Sequence, residues 1–427
     1  MKFNRPVTLK NGIVVVINPR PILDSTSIAL AVKYGFAYES PSEVESAHFL
    51  EHMVFEGTET RSYLDILKQK RELGVLLSAY TQDETSVFFA DGPRRNLYRA
   101  AEIVADMVEN PTIPADRLAN ERLPMVNEYL ERLDTPAVLI ADAFECFAGG
   151  QSDEFDMHEA SIEAIRTKTR EEILRVHAQH YNPENMCLSF YGNISYKEAI
   201  KIATDIFEKM KKHPQSENPE LRWDKNPRVR DYLFGLPSAK QGHIIIGFRL
   251  PPSSEIFRPG EHTFSALACA HSLLYERLYD ALRTNTGLVY DVTLELKPNG
   301  NFGYFYIQTS SEPKNLFDVV SITKRELEKL LNGEFTDADI ARAKRALRYD
   351  SKQNLESVLS TTCSIADYNL MHGRSTLVAD LPVIQRDDVL AALNRYTTLK
   401  RAITVVLAPP RVKTSKLPKE KLVGHLV

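Results

Sequence analysis

The hydrophobic positions of this chain follow two periods, and each period predicts a different kind of element. Runs of β-branched residues bounded by turn residues predict strands, the first two at 12–17 and 27–32. Helix-forming stretches with a charged outer face predict helices, such as 62–73, which ends at Gly74. Because the strands cluster among several long helices rather than alternating strictly with them, the pattern favours an α+β fold over a doubly wound sheet.

The same patterns predict the remaining elements. In the first part of the chain, further strands are predicted at 76–80, 85–90 and 185–192, and helices at 47–55, 97–108, 116–133, 137–147 and 169–180. A stretch at 211–226 has neither period and is the best candidate for a linker. The later predicted elements are strands at 242–248, 289–296, 302–309 and 402–407, helices at 261–283 and 387–396, and long helices up to about residue 372.

The order of elements indicates an internal repeat. Asp116 and Asp339 occupy matching positions at the start of two long helices, 223 residues apart. We therefore predict two homologous domains, each with a mixed or antiparallel sheet packed with several long helices. The predicted boundaries are a first domain at 1–213, a linker at 214–226 and a second domain at 227–427.

Charge and composition exclude several classes of function. With 53 Lys and Arg against 57 Asp and Glu, the formal charge is −4, so the chain lacks the basic surface that sequence-independent nucleic-acid binding needs. No apolar run reaches the roughly 18–20 residues of a membrane span, and the first residues lack the apolar stretch of a secretory signal. We expect a cytoplasmic protein that binds neither nucleic acid nor membrane. Its 4 cysteines lie far apart, which argues against a disulfide framework.

The strongest chemical signal is the motif His-Phe-Leu-Glu-His at 48–52. On a helix, His48 and His52 face the same way, so both imidazoles can bind one metal ion. Glu51 lies on that side too and can contact a water molecule at the metal. This H-x-x-E-H order is the inverse of the H-E-x-x-H order and supports the same chemistry. The alternative interpretation is a pair of surface histidines on a charged helix.

The residues around this motif resemble a known family. The stretch 47–58, Ala-His-Phe-Leu-Glu-His-Met-Val-Phe-Glu-Gly-Thr, is similar almost residue for residue to the motif of the pitrilysin/insulinase-like zinc metallopeptidases, the inverzincins. The resemblance covers essentially the whole chain and extends to the two-domain branch that includes mitochondrial processing peptidase. It implies a zinc metalloendopeptidase. The spacing of the ligands does not itself select zinc over other divalent metals.

The resemblance also implies a third metal ligand. In the family this ligand is a glutamate some 75 residues beyond the second histidine, preceded by another glutamate two helical turns earlier. In this sequence Glu128 follows His52 by 76 residues, and Glu121 lies seven residues before Glu128, which places both carboxylates on one helix face. We expect Glu121 to support catalysis by orienting a ligand. In the second copy, Glu121 corresponds to Lys344 and Glu128 to Ser351, so we expect one Zn²⁺ per chain.

Two further stretches resemble substrate-binding elements of the family. Ser78, Ala79 and Tyr80 resemble the edge strand to which an extended peptide adds as an extra strand. Arg283 and Tyr290 resemble the arginine and tyrosine that hold the substrate carbonyl and stabilise its oxyanion. The alternative interpretation of 282–290 is a helix end followed by the start of a strand.

The implied reaction is hydrolysis of peptide bonds, with zinc bound by His48, His52 and Glu128 and with Glu51 as general base. In the family, four homologous domains enclose a chamber that admits peptides, so a two-domain chain implies a second subunit. We favour a homodimer over a heterodimer with a metal-free paralogue. The alternative function is a non-catalytic subunit of the same fold, either a scaffold or a module that binds peptides without cleaving them.

Two positions depart from the family pattern. Glu45 stands three residues before the first histidine, where glycine is usual, and Ser78 stands where asparagine is common. These departures affect the expected substrate preference more than the expected catalysis.

Overall fold

The computed structural model describes residues 5–149, 157–213, 231–374 and 381–409. Within these ranges the chain forms helices around two separate sheets, which confirms the predicted α+β class. The predicted linker at 214–226 lies outside the described residues. In the described part of the chain, no helix is both long enough and apolar enough to cross a membrane.

The strands of the first sheet all come from the first part of the chain. Its strands are β1 Val7–Thr8, β2 Val14–Pro19, β3 Ser25–Val32, β4 Leu76–Thr81, β5 Ser86–Pro93 and β6 Met186–Gly192. The helices are α1 Ser46–Met53, α2 Tyr63–Leu73, α3 Leu97–Glu109, α4 Ala115–Leu133, α5 Pro136–Ala148, α6 Met157–Thr167, α7 Arg170–His180 and α8 Tyr196–Asp205. The strand order is β1-β2-β6-β3-β5-β4, so β4 is an edge strand.

The second sheet comes from the later part of the chain. Its strands are β7 Asp231–Gly235, β8 Gly242–Leu250, β9 Val289–Lys297, β10 Gly303–Ser311 and β11 Ile403–Ala408. The helices are α9 Ser253–Ile256, α10 Thr263–Leu278, α11 Leu316–Leu331, α12 Asp337–Asn354, α13 Val358–His372 and α14 Arg386–Tyr396. The strand order is β7-β11-β8-β10-β9.

The two sheets share one topology. If β2, β6, β3, β5 and β4 are matched with β7, β11, β8, β10 and β9, the strand orders coincide. In each sheet the first two matched strands are parallel and the remaining neighbours are antiparallel. Both sheets are therefore mixed, and the repeat read from the sequence is visible in the order of the strands.

The described residues form two compact units, and each unit contains a segment from the other part of the chain. The first unit runs up to Asn127 and also includes 158–213 and 351–374. The second includes 128–149, 231–350 and 381–409. Helix α13 thus packs on β3 and β6 of the first sheet, and α5 packs on β8 and β11 of the second. The predicted domain boundaries describe the sequence repeat, and they remain a prediction. The packing of α5 and α13 does not follow the division of the chain into two repeats.

Apolar side chains explain where the two exchanged helices pack. On α5, Phe144 and Phe147 are buried in one cluster with residues of β7, β8, β10 and β11. A Cβ at Gly247 would lie 2.4 Å from the Phe144 ring, so glycine lets this helix approach the sheet closely. On α13, Cys363 and Ala366 are buried against β3 and β5 of the first sheet.

Several helix ends follow their sequence signals. Ser62 caps α2 by accepting the Asp65 backbone N–H, and the Asp65 side chain accepts the Ser62 backbone N–H in return. Gly74 ends α2 in the left-handed conformation, as predicted. The predicted helix at 261–283 is α10 followed by a π-helical segment, Tyr279–Thr284. Strands β1 and β7 and helices α6, α8 and α9 were not predicted.

Candidate metal centre

Helix α1 presents the metal-binding motif because one of its faces is buried. Phe49, Leu50 and Met53 are fully buried, and the helix contacts β4, β5 and α7. Its C-terminal end continues as a 3₁₀ turn to Glu56 and stops at Gly57, where φ is 140°. Such a φ favours glycine, and it ends the helix two residues beyond the predicted bound at residue 55.

The structure brings the two histidines of the motif together. Their ring centroids are 4.8 Å apart, and the rings are nearly perpendicular. His48 is buried, whereas His52 is partly exposed. One turn of helix therefore places two imidazoles side by side, with one of them open to solvent.

Helix α4 supplies the carboxylates that the sequence predicted. The possible ligand atoms of His48, His52 and Glu128 lie within 4.8 Å of one another, and Glu128 is exposed. Glu121 lies on the same helix, and its Oε2 is 3.2 Å from His52 Nδ1. Both residues belong to α4, so a single helix carries both glutamates.

Ion pairs and hydrogen bonds hold α4 in place. The Arg117 guanidinium donates to the buried Glu56 carboxylate at the end of α1 and lies 4.1 Å from the centroid of the Tyr63 ring. Further along α4, Arg122 donates to the backbone carbonyls of Ile165 and Lys168. Both arginines lie close in sequence to Glu121, and they fix the helix that presents it.

Each motif histidine has its own carboxylate partner. His48 Nδ1 lies 3.0 Å from Glu45 Oε2, and His52 Nδ1 lies 3.2 Å from Glu121 Oε2. Since a carboxylate only accepts hydrogen bonds, Nδ1 is the protonated nitrogen of each ring and Nε2 keeps the lone pair that binds a metal. Two imidazole nitrogens and one carboxylate, with carboxylates behind the rings, match the donor set of a catalytic zinc site.

Sequence reasoning noted Glu45 only as a departure from glycine, and it missed Glu39. The Glu39 carboxylate accepts the backbone N–H groups of Glu45 and Ala47 at 2.8 Å and 2.7 Å, at the start of α1. Burial of this carboxyl group raises its pKa to about 8, against the lowering effect of those two hydrogen bonds. The signal that could have revealed Glu45 is its spacing of three residues from His48, which places the two side chains on one face.

The charge of the predicted general base, Glu51, affects a buried tyrosine. Glu51 is partly exposed on α1. Burial raises the pKa of Tyr181, and the nearby Glu51 carboxylate raises it further. Both effects favour the neutral phenol at Tyr181.

The predicted substrate strand forms an open edge of the first sheet. Ser78, Ala79 and Tyr80 lie on β4, which pairs with β5 on one side and is the last strand of its sheet. Gln82 N–H donates to Thr85 O across the hairpin. Since hydrogen-bonded and non-hydrogen-bonded pairs alternate along an antiparallel ladder, the backbone groups of Ala79 turn away from β5.

One carbonyl of this outer edge already has a partner. By the same alternation Leu77 O points outward, and the Lys70 ammonium donates to it at 2.9 Å. The edge that remains for another strand therefore begins at Ala79 and continues at Thr81.

Arg283 and Tyr290 form a separate pair in the second unit. The Arg283 guanidinium donates to the Tyr290 carbonyl oxygen and lies 4.6 Å from the centroid of the Tyr290 ring. Its other aromatic neighbour is Tyr279, at 5.3 Å. Arg283 belongs to the π-helical segment, a type of helix often found at functional sites. The Tyr290 side chain is 80% exposed.

Comparison with known proteins gives matches along the whole chain. A family model described as Insulinase (Peptidase family M16) matches residues 14–150, and one described as Peptidase M16 inactive domain matches residues 167–347. A Rickettsia bellii protein described as an uncharacterized zinc protease is 26% identical over 414 residues, which cover 96% of this chain and 98% of that protein. The beta subunit of mitochondrial-processing peptidase from Bos taurus is 24% identical over 398 residues, covering 88% of this chain and 78% of the subunit.

A solved structure of greater length has a similar fold. The periplasmic protease PqqL from Escherichia coli matches with a TM-score of 0.74 at 18% identity. The match covers 95% of this chain but 47% of PqqL. The fold of this chain is thus comparable to about half of that longer protein.

Proposed function

The chain belongs to the insulinase family of peptidases, M16, and from this premise we propose that it is a zinc-dependent endopeptidase acting on peptides or unfolded polypeptides. The observation that carries the proposal is the group of His48, His52 and Glu128, with possible ligand atoms within 4.8 Å of one another. Two histidines and one carboxylate are a ligand set that catalytic zinc sites use, so these three residues would hold a Zn²⁺ ion that serves as a Lewis acid.

The chemistry divides between the metal and the chain. Zinc bound to these three residues would supply a Lewis acid and lower the pKa of a water molecule toward roughly 7. Glu51 would accept the proton of the attacking water and deliver it to the leaving amine. Glu121 and Glu45 would hold the two imidazoles through their Nδ1–H groups.

Substrate binding would use the open edge of the first sheet. An extended peptide beside β4 would bond to the outward backbone groups of Ala79 and Thr81, so its affinity would come mainly from main-chain hydrogen bonds. Helix α1 contacts β4, which favours a substrate strand close to His48 and His52. Arg283 and Tyr290 would act on the substrate carbonyl and its developing negative charge.

We propose that two subunits form the chamber in which cleavage occurs. A single PqqL chain has about twice the extent of this fold, and two copies of this chain would supply the same number of units. A homodimer is favoured because one chain carries both the metal-binding group and the Arg283–Tyr290 pair. A heterodimer is the alternative. Mass measurement in solution distinguishes a dimer from a monomer, and a gain of activity on adding a metal-free paralogue would favour the heterodimer.

The test of the function combines metal analysis with cleavage. We expect about one zinc per chain and cleavage of a quenched fluorescent peptide that stops with a chelator and returns with added zinc. The match of 167–347 to the inactive-domain model supports a single metal site in the first part of the chain. A zinc-free protein that binds peptide but leaves it intact after zinc addition would instead indicate a peptide-binding subunit.

We also propose a cytoplasmic location.

A further inference from the structure

We propose that Glu45 is a positioning residue of the metal centre, which holds the His48 ring so that its Nε2 atom faces the metal. The inference rests on the proposed zinc site. Glu45 Oε2 lies 3.0 Å from His48 Nδ1, and the two side chains are only 6% and 10% exposed. Water therefore has little access to this hydrogen bond, and the carboxylate is the group that defines the ring's orientation.

The backbone of Glu45 is strained. Its φ of 65° and ψ of 8° lie in the left-handed region, which a side chain makes costly and glycine adopts freely. Among the described residues, Glu45 shares a positive φ with only one other non-glycine residue, Ile113. A glutamate kept in this conformation needs contacts that offset the strain, and the bond to His48 is one that its side chain makes.

Glu39 holds Glu45 in this strained conformation. Its two carboxylate oxygens accept the backbone N–H groups of Glu45 and Ala47, at 2.8 Å and 2.7 Å. Glu45 also starts the helix, since its carbonyl accepts the Phe49 N–H at 2.9 Å. The backbone is thus held on both sides, and in this conformation the side chain reaches His48, three positions later.

The carboxylate partner of His52 comes from a different helix and is more exposed than Glu45. Glu121 reaches His52 from another helix, and these side chains are 19% and 20% exposed, respectively. Each histidine therefore has an independent carboxylate. Glu121 cannot replace Glu45, because it is occupied by His52 on the more exposed side of the site. Carboxylate partners of this kind typically change metal affinity 10- to 100-fold.

The test uses three variants of the full-length chain: Glu45→Gly, Glu45→Ala and Glu45→Gln. For each, the zinc dissociation constant is measured by competition with a chromophoric chelator, and the thermal unfolding midpoint is measured on metal-free protein. We expect E45G to bind zinc about 10- to 100-fold more weakly and yet to unfold at the same or a higher temperature, because glycine relieves the backbone strain. E45A should bind zinc as weakly as E45G, but its unfolding temperature should not rise, because alanine does not relieve the backbone strain.

The Glu45→Gln variant separates the hydrogen bond from the shape of the residue. Its amide oxygen can still accept from His48 Nδ1, so it should recover most of the affinity lost in E45A. The absorption spectrum of Co²⁺-substituted protein should change in E45G and stay close to wild type in E45Q. These two readouts report the ligand geometry and do not require activity.

The outcomes separate the two proposals. Equal zinc affinity in wild type and E45G would overturn the role of Glu45 and leave the peptidase proposal standing. The role of Glu45 would also be overturned if the loss of zinc affinity correlated with the loss of metal-free stability across the three variants. Such a correlation would indicate a structural role. A wild-type chain that binds no zinc would overturn both proposals.

Discussion

The carboxylate of Glu121 lies 3.2 Å from Nδ1 of His52, although 69 positions separate the two residues in the chain. The contact links helix α4 to the C-terminal turn of α1. Glu128 lies two turns further along α4. The position of the helix that brings Glu121 to His52 Nδ1 also brings the Glu128 carboxylate close to both histidines. Helix α4 therefore holds one possible ligand, His52, through Glu121 and supplies another, Glu128.

Replacing Glu51 by Gln should separate metal binding from turnover. We expect Glu51→Gln to keep its zinc and to lose about 10²- to 10⁴-fold in kcat, because an amide cannot accept the proton of the attacking water. Zinc content and peptide cleavage are measured together. The control is Glu72→Gln, an exposed glutamate on α2, which should cleave at the wild-type rate. Wild-type cleavage by Glu51→Gln would show that another residue is the base.

The two glutamates of α4 should differ in their effect on zinc. We expect Glu128→Gln to lose the metal in dilute chelator, because one of three protein ligands is gone. Glu121→Gln should bind zinc about 10- to 100-fold more weakly without losing it, because the amide oxygen can still accept from His52. Chelator competition measures both. If Glu121→Gln lost zinc as completely as Glu128→Gln, Glu121 would be a ligand itself.

Stability in acid should depend on Glu43. The His180 ring beside its carboxylate, helped by the Ser40 N–H, lowers the pKa of Glu43 from 4.5 to about 2. A carboxyl group with a lower pKa in the folded state stabilises the protein above its unfolded pKa and loses this effect as the pH falls. Glu43→Gln should therefore lower the free energy of unfolding at pH 7, by less than the roughly 3 kcal/mol that the full shift corresponds to, because solvent screens part of the interaction.

The difference between Glu43→Gln and wild type should shrink as the pH falls from 4.5 toward 2. Urea unfolding at pH 7, 5 and 3 measures it, again with Glu72→Gln as the control. A difference that stayed constant over this range would show that the charge of Glu43 does not stabilise the fold.

Peptide binding along β4 should depend on the outward N–H of Ala79. Proline at this position removes that donor while the bonds between β4 and β5 at neighbouring positions remain. We expect Ala79→Pro to raise KM about tenfold for a long peptide, the effect of one lost hydrogen bond of about 1.4 kcal/mol. The metal-binding residues are untouched, so zinc content should stay the same.

Lys70→Met is the companion variant for this edge. It releases the Leu77 carbonyl from the ammonium that now binds it, so it should leave KM unchanged or lower it. An unchanged KM in Ala79→Pro, with the variant folded as judged by circular dichroism, would exclude β4 as the substrate strand.

The motif was predictable from the sequence because its geometry is local. His48, Glu51 and His52 lie within one helical turn and a half, and periodicity alone puts them on one face. Glu128 needed the family resemblance, since a spacing of 76 residues has no meaning without a known fold. The contact of Glu45 with His48 has only the spacing of three residues as a sequence signal, because it depends on a left-handed backbone conformation that a glutamate rarely adopts.

Helix positions were also easier to predict than helix partners. The periodicity of α5 and α13 shows that each is a helix with an apolar face, but it does not show which sheet that face covers. Phe144 finds its place against β8 because Gly247 leaves room for the ring, a fit that exists only in three dimensions. The π-helical turn at Arg283 likewise has the residue pattern of an ordinary helix.

The exchange of α5 and α13 has a consequence for expressing the two halves of the chain separately. A fragment ending at residue 213 would carry α5 without the sheet that buries it, and its own sheet would lack the helix that covers β3 and β6. The complementary fragment would have the reciprocal defect. Although the repeat points to a duplicated ancestor, the two modern halves should be insoluble when expressed alone and recoverable when expressed together as a split protein.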